Sequence, residues 1–391
     1  MKKISVLTAT RAEYGLLKTL IMKFMNEEEV ETEVVVTGAH LSPEFGLTYK
    51  EIIEDQVPIA KKIEILLSSD TPAAISKSMG LAMISFSEYF AESKPDLLIV
   101  LGDRYETLAV CCVAMNARIP IAHLHGGEIT EGAIDESIRH AITKLSYLHF
   151  TSTEIYRRRV IQLGESPERV YNVGALGVEN VLHTELLSKS ELESSIEWKL
   201  DRPYGVVTFH PVTLEGDAEI QIKALLSVMS YYKDMQFIIT KANADAEGRV
   251  INNALEEYAM KNGHVKVFDS LGMLRYLSSV KYASVVVGNS SSGIIEVPSF
   301  RIPTVNIGTR QKGRLRNISI VDCDPIESSI KTAMEKALSI EFRDRIQNMQ
   351  NLYGDGDTSY KITKIIKQYL LSEEIDLKKS FYDLGGHCDV E

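Results

Sequence analysis

The chain has 391 residues, of which 45% are hydrophobic and 25% are charged. A chain of this length usually forms more than one domain, and this composition is ordinary for a folded, water-soluble protein. The formal net charge of −11 argues against nucleic acid as a general partner. A local basic site for a small anionic molecule is still compatible with this charge.

The sequence carries no sign of a targeting segment or a membrane span. Residues 1–15 lead directly into a strand pattern and lack the apolar core of a signal peptide. No apolar run is long enough to cross a bilayer. The cysteines show neither zinc-like spacing nor a disulfide framework, and Cys111 and Cys112 lie in an apolar helical stretch typical of buried thiols. We therefore expect a cytoplasmic protein without a membrane partner.

Short apolar runs alternate with helical patterns along the chain, which predicts an α/β fold with parallel, doubly wound sheets. The first series of predicted strands covers residues 4–8, 33–37, 97–101, 119–123 and 148–151. A charged segment at 179–202 follows and has no strand pattern. The second series covers residues 204–209, 237–240, 265–268, 284–287, 304–307 and 318–321, and a helical region over 326–371 ends the fold.

This order predicts two Rossmann-like domains, an N-terminal one at residues 1–178 and a C-terminal one at 203–371. Residues 179–202 would connect them, and residues 372–391 would form a tail or an interface segment. Ligands of such sheets bind at the carboxyl ends of the strands. We therefore expect the domains to face each other across a cleft into which these loops converge.

The loop after the predicted strand at 284–287 has the pattern of a phosphate site. Residues 288–293, GNSSSG, lie between that strand and the start of a helix. Unpaired N–H groups and the helix dipole attract phosphate at a helix start, and serine hydroxyls can donate further hydrogen bonds. Glu296 in the first turn suits the dipole and could accept from a ribose hydroxyl. The basic loop at 308–314 favours this interpretation over an ordinary polar loop.

Charged residues also follow two strands of the first series. Asp103 and Arg104 follow the run at 97–101 after Gly102. Asp103 is therefore either the N-cap of the next helix or a functional carboxylate. Arg11 lies in the exit loop of the first strand, where its forked guanidinium suits phosphate or carboxylate. The alternative for Arg11 is a surface salt bridge.

A segment rich in acids and histidines begins at the end of the strand at 119–123. Its acids are Glu128, Glu131, Asp135 and Glu136, and its histidines are His123, His125 and His140. Two carboxylates in different environments can act as general base and general acid if burial raises one pKa. The alternatives are a solvated acidic loop and a metal site. The spacing fits no metal signature, so we expect no metal.

In the second half, His210 ends a strand and is placed to reach a bound diphosphate or sugar. A histidine that stands alone is usually structural, which is the alternative for this residue.

Six motifs in this order resemble the hydrolysing UDP-N-acetylglucosamine 2-epimerases, which include bacterial sialic-acid pathway enzymes. They are RAEYG at 11–15, LGDR at 101–104, HGGEITEGAIDESIRHAITKLS at 125–146, FHPVT at 209–213, GNSSSG at 288–293 and GTRQKGR at 308–314. The resemblance covers nearly the whole chain. It implies the GT-B fold, in which two Rossmann-like domains face each other across a cleft.

The resemblance implies that a base removes the C2 proton of the sugar while UDP leaves C1, which gives a 2-acetamidoglucal. Water then adds with inversion at C2 and releases N-acetylmannosamine and UDP. Asp103 and Asp135 match acidic positions that the family uses, and His210 matches its cleft histidine. The residues implied in binding UDP are Ser290, Ser291 and Gly293 for the diphosphate, Glu296 for a ribose hydroxyl, Arg310 for the diphosphate or nucleotide, and Arg11 and Arg104 for phosphate.

One loop departs from the family pattern. His125 stands where several relatives carry glutamate, and Glu128 follows three residues later. Either residue could carry the acid–base role; we assign it to Glu128 and give His125 a binding role. This loop variant also resembles enzymes that act on the UDP-linked 2,4-diacetamido-2,4,6-trideoxy hexose of the legionaminic-acid pathway, so the identity of the hexose stays open.

Three other functions are compatible with the same fold: a non-hydrolysing 2-epimerase, a glycosyltransferase and a non-enzymatic nucleotide-sugar sensor. We expect a UDP-sugar as substrate, UDP as product and no cofactor. Because members of the family are commonly dimers or tetramers, the resemblance also implies a homo-oligomer.

Overall fold

The computed structural model describes residues 1–69, 71–130, 134–212, 217–242, 248–372 and 377–384. The chain forms two compact units. Unit 1 comprises Met1–Glu128, Asp135–Glu179 and Tyr353–Glu391, and unit 2 comprises Ile129–Ile134 and Asn180–Leu352.

Each unit is built on one parallel sheet. The strands of unit 1 are β1 (Lys2–Thr8), β2 (Val30–Thr37), β3 (Ile59–Ile63), β4 (Leu97–Leu101), β5 (Ile121–Leu124), β6 (Leu148–Thr151) and β7 (Val170–Asn172). Those of unit 2 are β8 (Tyr204–Thr208), β9 (Gln236–Thr240), β10 (Val265–Phe268), β11 (Val285–Gly288), β12 (Thr304–Ile307) and β13 (Ile320–Cys323). Over the described residues the sheet orders are β3-β2-β1-β4-β5-β6-β7 and β10-β9-β8-β11-β12-β13, with parallel neighbours.

Helices alternate with these strands, which confirms the expected α/β class with two doubly wound parallel sheets. The α-helices are α1 (Arg11–Met25), α2 (Tyr49–Glu54), α3 (Pro72–Ser93), α4 (Tyr105–Asn116), α5 (Asp135–Leu145), α6 (Glu154–Gln162), α7 (Leu176–His183), α8 (Lys189–Ser195), α9 (Ala218–Met229), α10 (Gly248–Lys261), α11 (Gly272–Lys281), α12 (Ser292–Ile295), α13 (Glu327–Leu338), α14 (Ile340–Ile346) and α15 (Thr358–Leu370).

The sheets carry apolar cores on both faces. Along β4, Leu97, Ile99 and Leu101 join the core on one face, whereas Leu98 and Val100 join the core on the other. Successive residues of a strand point to opposite faces, so a strand that is covered on both sides reads as an unbroken apolar run. This is why the central strands can be recognised from the sequence.

The C-terminal helix belongs to unit 1. Ile362 and Ile366 of α15 lie one helical turn apart and pack in the same core as Leu17 of α1. The predicted C-terminal domain at residues 203–371 is therefore too long, because the chain returns to unit 1 at Tyr353. An amphipathic pattern predicts that a helix has a buried face, but it does not identify the sheet that this face covers.

The charged segment at 179–202 is part of unit 2 from Asn180 onward rather than a free connection. It contains α8, and Leu192, Ile196 and Leu200 are buried in a core that they share with β8. The apolar residues of this short helix are few and far apart, which explains why charge dominates the sequence pattern there.

Strands β3 and β7 are not predicted from the sequence, and each lies at an edge of the unit 1 sheet. Three of the five residues of β3 are exposed, so it has no continuous apolar run. With three residues, β7 is too short for a periodic pattern.

The described part of the C-terminal segment, residues 377–384, lies against unit 1. Lys379 forms an ion pair with Glu165 over 2.7 Å, and the Tyr382 N–H donates to the carbonyl of Gly164 over 3.0 Å. The segment is therefore anchored at two places on its own unit. None of the helices within the described ranges is long and apolar enough to cross a membrane.

The thiols differ slightly from expectation. Cys111, Cys112 and Cys323 are free, and Cys111 is buried, but Cys112 is only partly buried. The two neighbours are about 100° apart around α4, so they cannot both face the core. Cys388 lies outside the described residues.

Candidate active site

The strand order locates a candidate ligand site in each unit. In both sheets the first strand lies between the second and fourth strands of its unit in chain order, at β1/β4 and at β8/β11. The crossover connections diverge from such a switch point and leave a crevice at the carboxyl ends of the two strands. The loops after β1, β4, β8 and β11 are therefore where functional side chains are expected.

In unit 2, Gly288 lets the ends of β8 and β11 approach closely. Its φ is +133°, and a Cβ at this position would overlap the carbonyl oxygen of Thr208. L-residues with a side chain rarely adopt this backbone conformation, so glycine is required here. The approach places the next residue, Asn289, directly beside the loop that leaves β8.

Asn289 is buried and holds His210 by its main chain. The His210 N–H donates to Asn289 Oδ1 over 2.7 Å, and Asn289 Nδ2 donates to the His210 carbonyl over 2.8 Å. His210 itself is 6% exposed. The histidine predicted from the sequence therefore lies at the switch point of unit 2 with both flanking peptide groups bound.

The basic loop after β12 contacts the same residue. Arg310 Nη1 donates to the Asn289 carbonyl over 3.2 Å, and Gln311 Nε2 donates to it over 2.8 Å. The loops after β8, β11 and β12 are thus joined at one asparagine. The expectation that the basic loop and the serine loop share a sheet edge agrees with this geometry.

The serine loop differs from the expected helix start. Helix α12 has four residues, and Glu296 is its C-cap rather than part of a first turn. A helix of one turn has a small dipole, so the attraction of phosphate here rests on individual N–H and hydroxyl groups. Ser290 and Ser291 are partly buried before the helix, and Gly293 is buried against Thr304.

In unit 1, Arg139 connects two loops at the carboxyl edge of the sheet. This arginine of α5 is 3% exposed. It forms an ion pair with Asp103 through Nη2, and its Nη1 donates to the His125 carbonyl over 2.9 Å. Helix α4 begins at Tyr105 with Arg104 at the N-cap position, so Asp103 does not cap the helix. The carboxylate of Asp103 is instead held by a buried cation.

Glu128 lies in the same loop and is buried, with 1% exposure. Its Oε1 accepts from Ser152 over 2.9 Å and lies 3.3 Å from His125 Nδ1. His125 has a φ of +64°, a conformation uncommon outside glycine. Glu128, predicted to be the acid–base residue, and His125, its alternative, are therefore direct neighbours.

The rest of the acidic loop is arranged differently. Asp135 is the first residue of α5 and is partly buried. Glu136 pairs with His140 on the same helix, Oε1 to Nε2, over 3.1 Å. Glu131 lies outside the described residues.

The two predicted arginines of unit 1 each have a carboxylate partner. Arg11 Nη1 lies 3.3 Å from Glu51 Oε1, and both side chains are partly exposed. The surface salt bridge that the sequence leaves open for Arg11 is therefore present. Arg104 Nε lies 3.2 Å from Oε1 of Glu106, a residue of α4 that is 1% exposed. A buried partner of this kind fixes the direction of a guanidinium group.

His123 is an interior residue. Its Nε2 lies 2.7 Å from the Gly102 carbonyl oxygen, and its Nδ1 lies 3.2 Å from Thr143 Oγ1. Burial lowers its pKa to about 3. In the ranges that the structure describes, no group of three or more His, Cys, Asp or Glu side chains is arranged to hold a metal ion.

Comparison with known proteins decides the family. The family model described as UDP-N-acetylglucosamine 2-epimerase matches residues 22–367. The chain belongs to this family. The chain is 46% identical to the GDP/UDP-N,N′-diacetylbacillosamine 2-epimerase (hydrolyzing) of Campylobacter jejuni, over 98% of this chain and 99% of the relative. It is 33% identical to the UDP-N,N′-diacetylbacillosamine 2-epimerase (hydrolyzing) of Legionella pneumophila, over 98% of this chain and 100% of the relative.

The family that the six motifs indicate is thus confirmed, and these two relatives carry the expected hydrolysing activity in their names. A solved structure of UDP-GlcNAc 2-epimerase from Neisseria meningitidis bound to UDP-GlcNAc has a TM-score of 0.80. It is 17% identical and covers 94% of this chain and 100% of its own. This likeness supports the GT-B type of fold.

Within this epimerase family fold, the structure joins the predicted residues in two groups. Asp103, His125 and Glu128 belong to one network in unit 1, and His210 and Arg310 to another in unit 2. Arg139 and Ser152 link the residues of the first group, and Asn289 links those of the second; none of these three is predicted as a site residue from the sequence. Arg139 lies within the motif at 125–146 and Asn289 within the motif at 288–293, and this is the signal in the sequence that could have found them.

Proposed function

We propose that this protein is a hydrolysing 2-epimerase whose substrate is UDP-N,N′-diacetylbacillosamine, the UDP-linked 2,4-diacetamido-2,4,6-trideoxy hexose. The observation that carries the proposal is the 46% identity, over nearly the full length, to a relative named for this activity. The products would be UDP and the free sugar with the opposite configuration at C2.

The reaction has two steps, an elimination of UDP and a hydration. A base takes the C2 proton, the C–H electron pair forms the C1=C2 bond, and the C1–O bond breaks toward UDP. Water then adds its oxygen to C1, and a proton is delivered to the opposite face of C2. The first step needs a base close to C2 and positive charge at the departing diphosphate.

We assign the proton chemistry to unit 1 and His210, and the binding of UDP chiefly to unit 2. Glu128 is the base in this proposal, since it is buried and held by Ser152. Asp103 and Asp135 are the other carboxylates, and His125 contacts the substrate beside Glu128. Burial of a carboxylate such as Glu128 is typical of acid–base catalysts, whose surroundings match their proton affinity to the reaction.

On the UDP side, we assign the diphosphate to Ser290, Ser291 and Gly293, and a ribose hydroxyl to Glu296. Arg310 supplies positive charge to the diphosphate, and its contact with the Asn289 carbonyl holds it beside the serine loop. Arg11 and Arg104 are assigned to phosphate as well.

A second substrate is UDP-N-acetylglucosamine, giving N-acetylmannosamine and the sialic-acid context expected from the motifs. It is favoured by the description of the family model. The two sugars differ at C4 and C6, so the same groups around C1 and C2 serve both. A GDP-linked sugar also requires a test because the Campylobacter relative is named for GDP as well as UDP.

The test is product analysis with the purified protein. The UDP- and GDP-linked diacetamido sugars and UDP-N-acetylglucosamine are each incubated with it, and ³¹P NMR follows the nucleotide. We expect free UDP and the free 2-epimer, with the UDP-linked diacetamido sugar giving the highest kcat/KM. A product that keeps its UDP would mean a non-hydrolysing epimerase, and transfer to an added acceptor would mean a glycosyltransferase.

Two substitutions test the assignment of roles. Glu128→Gln and Asp103→Asn should each lower kcat by about 100-fold or more, the scale of general acid–base groups. UDP affinity should change little in either. Glu88→Gln, at an exposed position of α3, is the matched control. Near-normal turnover by Glu128→Gln would move the base role to His125.

A further inference from the structure

Three loops of unit 2 are joined at one buried residue, Asn289, which is 1% exposed. Its main chain and its side chain have different partners. The N–H donates to the Thr208 carbonyl over 3.1 Å, and the carbonyl accepts from Arg310 and Gln311. The side-chain amide bonds only to His210 in the described contacts, at 2.7 and 2.8 Å.

The pair of bonds to His210 constrains more than the position of a loop. Asn289 accepts from the N–H that precedes the His210 Cα and donates to the carbonyl that follows it. When both peptide groups around one Cα are held, the direction of its Cα–Cβ bond is fixed. Only the side-chain torsions χ1 and χ2 then set where the imidazole lies, and a well-placed reacting group is what proton transfer to a bound substrate needs.

The close approach of β8 and β11 brings the Asn289 amide within hydrogen-bonding distance of the His210 main chain. Because Gly288 has no Cβ, its backbone lies against Thr208, and the short amide of Asn289 spans the remaining gap to His210. A longer or shorter side chain would not match both peptide groups. Gly288 and Asn289 thus act together to hold the main chain of His210.

We propose that Asn289 is a positioning residue that aims the His210 imidazole for catalysis. The proposal rests on the proposed function, in which His210 takes part in the proton chemistry. The contact to Arg310 uses the Asn289 main chain, which any substitution retains. Loss of the side chain therefore affects turnover through His210 and leaves the binding of UDP nearly intact.

The test is a double-mutant cycle of Asn289→Ala and His210→Ala in the full chain. The kcat is measured with the sugar nucleotide that the unaltered protein hydrolyses, and the Kd for UDP is measured by calorimetry. Asn289→Ala should lower kcat about 10-fold or more, the scale of a small misplacement of a reacting group. UDP affinity should stay within about 3-fold, since the charged contacts remain. The double variant should turn over no more slowly than His210→Ala.

A matched control is Asn306→Ala in β12. Asn306 is also 1% exposed and pairs with Gly288 in the sheet, but its Nδ2 donates to Asp322 of β13 over 2.6 Å rather than to His210. NMR of histidine labelled at Cε1 adds a readout that does not depend on turnover. The signal that disappears in His210→Ala should shift in Asn289→Ala and stay in place in Asn306→Ala.

The outcomes separate this inference from the proposed function. If His210→Ala is impaired while Asn289→Ala is not, or if the two losses multiply in the double variant, the positioning role is overturned and the proposed function stands. An unshifted His210 signal in Asn289→Ala also overturns it. If the unaltered protein hydrolyses none of the sugar nucleotides, the proposed function fails, and the His210 signal alone decides whether Asn289 orients this side chain.

Discussion

Glu13 at the start of α1 provides a pH-dependent stability that can be measured apart from turnover. One of its carboxylate oxygens accepts from the Ala9 N–H over 2.7 Å and the Thr10 N–H over 3.2 Å, and the other is buried without a partner among the described residues. Burial first, and then the nearby Glu106, raise the pKa of Glu13 to about 7, against hydrogen bonds and Arg104, which lower it.

The sign of the effect follows from the two pKa values. The unfolded chain releases this proton near 4.5, whereas the folded chain keeps it up to about 7. Between these values the folded state binds more protons, so stability falls as pH rises and the full loss is reached above about pH 7. The difference corresponds to about 3 kcal/mol at 1.36 kcal/mol per pH unit. Part of this loss is already present at pH 5, so about 2 kcal/mol of it falls between pH 5 and pH 8.

The assay compares urea unfolding of the unaltered protein and Glu13→Gln at pH 5 and pH 8. Glutamine keeps one acceptor oxygen for the two N–H groups and carries no charge. The stability of Glu13→Gln relative to the unaltered protein should therefore rise by about 2 kcal/mol from pH 5 to pH 8.

The control is Glu191→Gln, because Glu13 in α1 and Glu191 in α8 each form a capping box with the N-cap residue of their helix, Thr10 and Ser188. The pKa of Glu191, however, is lowered by hydrogen bonds from Ser188. Glu191→Gln should show no such rise. Equal relative stability of Glu13→Gln at the two pH values would mean that the pKa of Glu13 is not raised in the folded protein.

Three further substitutions test other parts of the structure. Gly288→Ala should cost about 3 kcal/mol or more because of the overlap with the Thr208 carbonyl, while Gly263→Ala, with open space around it, should change the urea midpoint little. Arg139→Met should cost about 3 kcal/mol, since it leaves the carboxylate of Asp103 without its buried partner; a variant as stable as the parent in urea would contradict this. Arg310→Ala should weaken UDP binding by about 1.5–3 kcal/mol in calorimetry, and unchanged affinity would remove Arg310 from the site.

The central strands and the sheet edge that carries the site can be predicted from the sequence because they depend on local signals. The residues of β4 are apolar throughout. Loops that follow parallel strands necessarily begin at the same edge of the sheet. The motif residues Asp103, Glu128 and His210 fall in those loops, so their placement follows from the strand assignments.

The connecting residues could not be predicted for a different reason. Arg139 reads as the polar side of an amphipathic helix, and only the tertiary structure shows that it is buried against Asp103. Asn289 reads as one polar residue in a serine loop, and its role depends on the backbone conformation of Gly288. The destination of α15 is a tertiary choice as well, since its apolar face would fit either sheet.

The proposed reaction is best tested by measuring how much deuterium the product carries at C2. The protein is incubated with UDP-N,N′-diacetylbacillosamine in deuterated water, and proton NMR follows the sugar and the nucleotide. Proton removal and return at C2 should give free UDP and a free sugar that is inverted and fully deuterated at C2. A released sugar that keeps its original hydrogen and configuration at C2 would contradict the proposed reaction, because UDP would then have left without any proton transfer at that carbon.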